Sequence, residues 1–335
     1  MLLIVSEKGV DQKAIQPKAD FLVQTLPAVG WKGWRIDYIF RFVVGMIKSM
    51  IQSYRIFRIF PPDVVVGMGG FSSVAPLFMA RLRGIPSCIH ESNVIAGKAN
   101  RLLAYFASTV AVGFEATRNQ FSKDNIVWTG TPVRSALRNR KDSREARETL
   151  GLAGQKPTVL VIGGSQGAKS LNRLVVEAAS QISLLDIQWL HLTGVEDESN
   201  IRSAYASAGK MAQVRAFCHE MEVYYAAADL VIARSGASSL AEIALWSLPS
   251  ILIPYLFAAD KHQLANAKQF VKVGAAMILE EEDGTAEKLA AAIQSVLMDQ
   301  DRRRNMAEAT MKLRCDHAHQ SFADMIEKLG TVSRK

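Results

Sequence analysis

Val159-Leu160-Val161-Ile162-Gly163-Gly164-Ser165-Gln166-Gly167-Ala168-Lys169-Ser170 reads as a strand running into a glycine-rich turn and then a helix. Gly163 and Gly164 permit tight backbone geometry, and Ser165 with the N–H groups that follow can hold a diphosphate. The stretch lacks the Gly-Lys-Ser/Thr ending of a nucleoside triphosphate loop and the spacing of a dinucleotide fingerprint. Many α/β proteins also turn this way for packing alone. Its context supplies the rest.

Short apolar runs alternate with helical stretches along the whole chain, which predicts α/β architecture with parallel sheets. Strands are expected at residues 2–5, 64–68, 87–90, 109–112 and 126–128 in the first half. In the second they are expected at 158–162, 188–192, 213–217, 230–233, 250–253 and 276–279. Residues 135–156 are strongly charged and carry Gly151 and Gly154 ahead of Pro157. They read as a connection with a short helix between a first domain, 1–134, and a second, 157–335.

Downstream, Ser235-Gly236-Ala237-Ser238-Ser239-Leu240-Ala241-Glu242 is a turn of small residues opening a helix, with a carboxylate seven residues on. Unsatisfied N–H groups and a partial positive charge at a helix N-terminus suit a phosphate. Glu242 can accept paired hydroxyl hydrogen bonds, as from a ribose. Asp260-Lys261-His262-Gln263 and Asn266 add polar groups of the kind that read sugar hydroxyls. Phosphate, ribose and hexose are thus all provided for within one segment.

In the first half, Gly67-Met68-Gly69-Gly70 follows a strand and either admits a second ligand or turns the chain. His90-Glu91-Ser92-Asn93 lies after another strand, at the edge where open α/β sheets bind ligands. His90 and Glu91 are candidates for acid–base chemistry there, and the alternative is a capped helix start. Thr129-Gly130-Thr131-Pro132-Val133-Arg134 closes this half, with Arg134 where it can reach a phosphate.

The 335 residues carry a net charge of +8, 49% hydrophobic residues and three widely spaced cysteines. That composition supports a sizeable core, an anionic partner and a reducing compartment. Cys315-Asp316-His317-Ala318-His319 imitates a metal cluster but reads as a frayed helix surface, so no metal is expected. There is no secretory signal and no run of about 18 uncharged apolar residues. Trp31–Phe60 interleaves basic and aromatic residues, a pattern that suits contact with an anionic membrane surface. No nucleic-acid motif accompanies the charge.

Taken in order, Gly-Met-Gly-Gly, His-Glu-x-Asn-x-Ile-Ala-Gly, Gly-x-Pro-Val-Arg, Gly-Gly-Ser-Gln-Gly-Ala, Arg-Ser-Gly-Ala, Glu and Asp-x-x-Gln resemble the bacterial lipid-I N-acetylglucosaminyltransferases over nearly the whole chain. The resemblance implies a GT-B fold, two Rossmann-like domains facing across a cleft. It implies inverting, metal- and cofactor-independent transfer from UDP-N-acetylglucosamine to an undecaprenyl-diphosphate-linked muramoyl peptide, at the cytoplasmic face of the plasma membrane. Carried over by motif, Ser165 and the turn Ser235, Gly236, Ala237, Ser238, Ser239, Leu240 and Ala241 would hold the diphosphate, with Arg134 neutralising it. Glu242 would bind ribose, Gln263 and His262 the sugar, Asn93 the donor from the first domain, and the Cys218 backbone the uracil. A UDP-N-acetylglucosamine 2-epimerase or an impaired binding homologue is the competing reading.

The family also implies an opening strand and a Gly-Gly-Thr-Gly-Gly-His loop ahead of Leu2, and nothing in the 335 residues matches them. A gene start assigned too late, a deliberate truncation and a degenerate homologue compete as explanations, and the late start is favoured. Leu2–Val5 is then the second strand of the fold, the first domain lacks its first strand, and Glu91 or His90 remains as candidate base. Weak donor binding and poor transfer are expected of such a chain.

Overall fold

The computed structural model describes residues 1–7, 21–27, 35–122, 124–164, 167–255 and 261–332. They form two compact units. One comprises Met1–Ser92, Ala96–Gly130 and Gln320–Lys335, the other Asn93–Ile95 and Thr131–His319.

The second unit is built on strands β7 (Thr158–Ile162), β8 (Gln188–Leu192), β9 (Ala212–Arg215), β10 (Leu230–Ala233), β11 (Ser250–Leu252) and β12 (Ala276–Ile278). They pair in parallel in the order β12-β11-β10-β7-β8-β9. In order of appearance within the unit this is 3-2-1-4-5-6, the dinucleotide-domain topology, in which ligands bind outside the carboxyl ends of the strands. β7 is central and buried along its length, as a strand covered by helices on both faces must be. Its side chains join Trp189, Leu171, Val175, Ile232 and Leu289 in one apolar cluster.

In the first unit the strands are β1 (Leu2–Ser6), β2 (Leu22–Leu26), β3 (Val65–Gly67), β4 (Ser87–Glu91), β5 (Thr109–Val112) and β6 (Ile126–Trp128). β1 and β2 pair in parallel as a two-stranded sheet, while β3-β4-β5-β6 form a separate parallel sheet of four. Among the described residues no strand joins β1 to β3. Apolar packing connects the pieces instead: Leu2 and Ile4 of β1 and Leu26 of β2 lie in one cluster with Val65, Leu77 and Ile89.

The helices are α1 (Ile36–Ile59), α2 (Val74–Leu82) and α3 (Lys98–Ala104), followed by α4 (Ser143–Thr149), α5 (Lys169–Gln181), α6 (Glu198–Ser207) and α7 (Met221–Ala227). Next come α8 (Ala237–Leu245), α9 (His262–Val273), α10 (Ala286–Leu297), α11 (Gln300–Met311) and α12 (Ala318–Val332). Two of them alter the expected division. α4, expected within an interdomain connection, belongs to the second unit. There Arg147 donates to the Ala227 carbonyl (3.2 Å) and pairs with Asp229 (2.7 Å). α12, expected in the second domain, belongs from Gln320 onward to the first, and its Phe322 packs on Cys88 and Ala111. Nothing local to α12 encodes which core covers it.

Three local readings also differ. β2 lies in a segment given no strand, because its exposed residues lack a two-residue pattern. β9 ends before Phe217, which is exposed. Cys315 lies in the turn between α11 and α12, not on a helix surface.

Candidate nucleotide-sugar site

The N-termini of α5 and α8 open on one pocket of about 1050 Å³ in the second unit. Gly163, Gly164 and Gly167 from the turn after β7 line it, together with Gly236 and Ser239 from the turn after β10. Gly167 has φ +75°, and a Cβ there would lie 2.6 Å from the Thr193 carbonyl oxygen. Only glycine lets this loop pass so close to the end of β8. Neither Ala168 at the start of α5 nor Gly236 at the start of α8 provides a side-chain cap, and these two ends open on the same pocket. Two uncapped, positively polarised helix ends at one pocket make an anion seat.

Ser235 is fully buried and its hydroxyl donates to the Gln263 carbonyl (2.8 Å), so the hydroxyl fastens two loops and the turn meets the pocket through Gly236 and Ser239. Gln263 also lines the pocket, and its Oε1 accepts from the Tyr255 N–H (2.9 Å). His262 begins α9. Ser165 and Asp260 lie outside the described residues.

Arg134, expected at the diphosphate, directs its guanidinium at Glu242 instead, with Nη2 3.6 Å from Oε1. The other carboxylate oxygen, Oε2, accepts from the Tyr225 hydroxyl at 2.8 Å. Burial raises the Glu242 pKa above its ordinary value, and the bonds to Tyr225 and Arg134 oppose that rise. Asn93 groups with the second unit, where its Oδ1 accepts from Asn266 Nδ2 (3.0 Å). Fully buried Asn266 also accepts from the Val94 N–H (2.9 Å) and donates to the Ser235 carbonyl (3.2 Å). Cys218 is buried, which pushes its thiol pKa up.

His90 and Glu91 are enclosed in the first unit. His90 Nδ1 meets Ser92 Oγ (3.1 Å) and Nε2 meets the Gly130 carbonyl (2.9 Å). Burial holds its pKa below the ordinary 6.5, favouring neutral imidazole. Glu91 Oε2 accepts from the Gly97 N–H (2.9 Å) and from Asn100 Nδ2 (2.8 Å). These contacts hold the segment between β4 and α3; they do not present an open base.

Arg234 opens the Arg-Ser-Gly-Ala motif, and the motif alone gives it no role. It is buried at the end of β10, donates to the Ile253 carbonyl (3.0 Å) and to Ser170 Oγ (2.8 Å), and pairs with Glu281 (2.7 Å). The available signal was a charged residue directly after a buried strand and before a small-residue turn.

Topology, glycine turn and paired helix ends together define a nucleotide-diphosphate-binding Rossmann-type unit, and the chain as a whole has the two-domain GT-B fold. It belongs to glycosyltransferase family 28: residues 3–112 match the family's N-terminal domain and 158–329 its C-terminal domain. A UDP-N-acetylglucosamine--N-acetylmuramyl-(pentapeptide) pyrophosphoryl-undecaprenol N-acetylglucosamine transferase of Anaeromyxobacter sp. (strain Fw109-5) is 35% identical over 98% of this chain and 85% of its own length. The like-named protein of Desulfotalea psychrophila is 36% identical over 91% and 82%. Among solved structures, Acinetobacter baumannii MurG superposes with TM-score 0.73 at 27% identity, covering 97% of this chain and 90% of that one. A UDP-GlcNAc 2-epimerase from Neisseria meningitidis reaches TM-score 0.63 at 10% identity over 98% and 99%, a likeness of fold alone.

Proposed function

We propose that this chain transfers N-acetylglucosamine from UDP-N-acetylglucosamine to the muramoyl 4-hydroxyl of an undecaprenyl-diphosphate-linked muramoyl peptide, with inversion, at the cytoplasmic face of a bacterial plasma membrane. The observation that carries the donor half is the pocket at the α5 and α8 N-termini, and the activity for which the relatives are named supports the choice of sugar and acceptor. As the acceptor hydroxyl attacks the anomeric carbon, charge grows on the departing diphosphate. Helix ends already aimed at the pocket meet that charge without reorganising, an electrostatic contribution of several kcal/mol in comparable sites. Gln263 reads the sugar, and Glu242 reads the ribose.

The acceptor is lipid-linked, and α1 supports a membrane partner. Its buried face consists of Gly45, Ser49, Ser53, Ile56 and Phe57. Ser49 and Gln52 donate to the Pro27 and Thr25 carbonyls, each at 2.7 Å. Its outward face carries Ile36 (86% exposed), Phe40 (69%), Val43, Ile47, Ile51 and Tyr54. These recur every three or four residues and so form one stripe. Exposed Arg41, Lys48 and Arg55, seven apart, run along one edge of it. No described helix is long and apolar enough to cross a membrane; an amphipathic face of this kind lies on one. Residues 31–34 of the expected membrane stretch lie outside the described residues.

Incubation with radiolabelled UDP-N-acetylglucosamine and the lipid-linked acceptor in vesicles is expected to give labelled lipid and acceptor-dependent UDP. Epimerised donor formed without acceptor would favour the epimerase reading, for which an exposed apolar helix face has no purpose.

A further inference from the structure

Glu242 is gripped from beneath by a group that no part of the reading above uses. Tyr225 on α7 is 1% exposed, and its ring stacks on Trp246 at 6.2 Å between centroids and 20° between planes. Its hydroxyl ends on Glu242 Oε2. Burial and the neighbouring carboxylate hold the phenol pKa well above its ordinary value, so the group keeps its proton and stays a donor. A stacked, buried ring has little freedom, and the carboxylate it grips inherits that order. Oε1, by contrast, faces the half-exposed Arg134 at 3.6 Å.

We propose that Tyr225 is a positioning residue for ribose specificity: by saturating Oε2 it turns Oε1 toward the ribose hydroxyls of a nucleoside diphosphate. The inference rests on the reading of Glu242 as the ribose acceptor and goes one step behind it. A preorganised acceptor loses less on binding than one that must be ordered by the ligand.

The test is calorimetric binding of UDP and 2′-deoxy-UDP to the full chain, each reported with the protein's melting curve. A hydrogen bond to a charged group corresponds to about ten- to a hundredfold in affinity, so the wild type is expected to prefer UDP by at least about tenfold. Glu242→Ala should bring the ratio near unity. Tyr225→Phe, which removes a single oxygen from a packed ring, should cut it about three- to tenfold, with 2′-deoxy-UDP binding almost unchanged. In the Glu242→Ala background the same change should leave the ratio where it is. A purely structural Tyr225 would lower the melting temperature and weaken both ligands alike, and that result overturns the proposal. Full discrimination in Tyr225→Phe overturns it while leaving Glu242 in place. Full discrimination in Glu242→Ala removes the ribose reading and this inference together.

Discussion

Both units are parallel α/β, yet among the described residues one sheet is continuous through six strands and the other unit pairs its strands as β1-β2 and β3-β4-β5-β6. In the continuous unit the turn after β10 is tied to its neighbours by buried polar groups: Arg234, Ser235 and Asn266 each bridge separate loops. In the split unit polar ties gather around His90 and Glu91, while a long helix turns its large apolar side chains outward. The difference separates two tasks. On the proposed function, holding a charged nucleotide needs fixed dipoles in a stiff frame, whereas meeting a membrane needs an exposed apolar face.

The largest effect expected from breaking this contrast is at Arg234. Arg234→Met takes the guanidinium away from Glu281 Oε1, which keeps its bond from Ser170 Oγ, and losing one member of a largely buried ion pair costs up to about 3–5 kcal/mol. Melting of the second unit should drop steeply and donor binding should go with it; a normal melting temperature would show that the frame does not depend on this clamp. Gly167→Ala comes next. It forces a Cβ against the Thr193 carbonyl and a left-handed φ, so UDP affinity should fall at least about tenfold with a smaller stability loss of about 1–3 kcal/mol.

Acid should then sharpen the comparison. His191, fully buried between Tyr205 and Asn172, has its pKa lowered to about 3 by burial. The unfolded state takes up a proton near the ordinary 6.5 while the folded state refuses it. The stability this gives is therefore present above pH 6.5 and lost progressively toward about pH 3. His191→Gln, if it folds, should flatten the acid limb of the melting curve; an unchanged limb would assign acid lability elsewhere. The smallest effect on stability and the most selective effect on function are expected in the first unit. Replacing Phe40 and Ile47 by Ser should leave the melting temperature nearly unchanged. Affinity for anionic vesicles, read by sedimentation, should fall about thirtyfold or more, at about 1 kcal/mol or more for each of the two large side chains.

Much of this was legible in the residues. β7 declared itself because four apolar residues, Val159 to Ile162, run straight into glycines, and a buried parallel strand needs that continuity. The turn at Ser235 was legible because small residues before a helix leave its N–H groups open. What stayed hidden depended on partners distant in sequence. In sequence Arg134 and Glu242 stand as separate ligand contacts, and only the fold shows that they face each other with Tyr225 behind. Ser235 carries a hydroxyl fit for phosphate, but the fold spends it on the Gln263 carbonyl. α12 has an ordinary apolar stripe, and no stripe names the core it will cover.

Hydrogen–deuterium exchange with and without saturating UDP-N-acetylglucosamine tests the central claim most directly. Slowed exchange at the α5 and α8 N-termini, residues 167–170 and 236–242, with β1 and β2 unchanged, is the predicted result. Protection confined to the first unit, or none at either helix end, would contradict a donor site in the second.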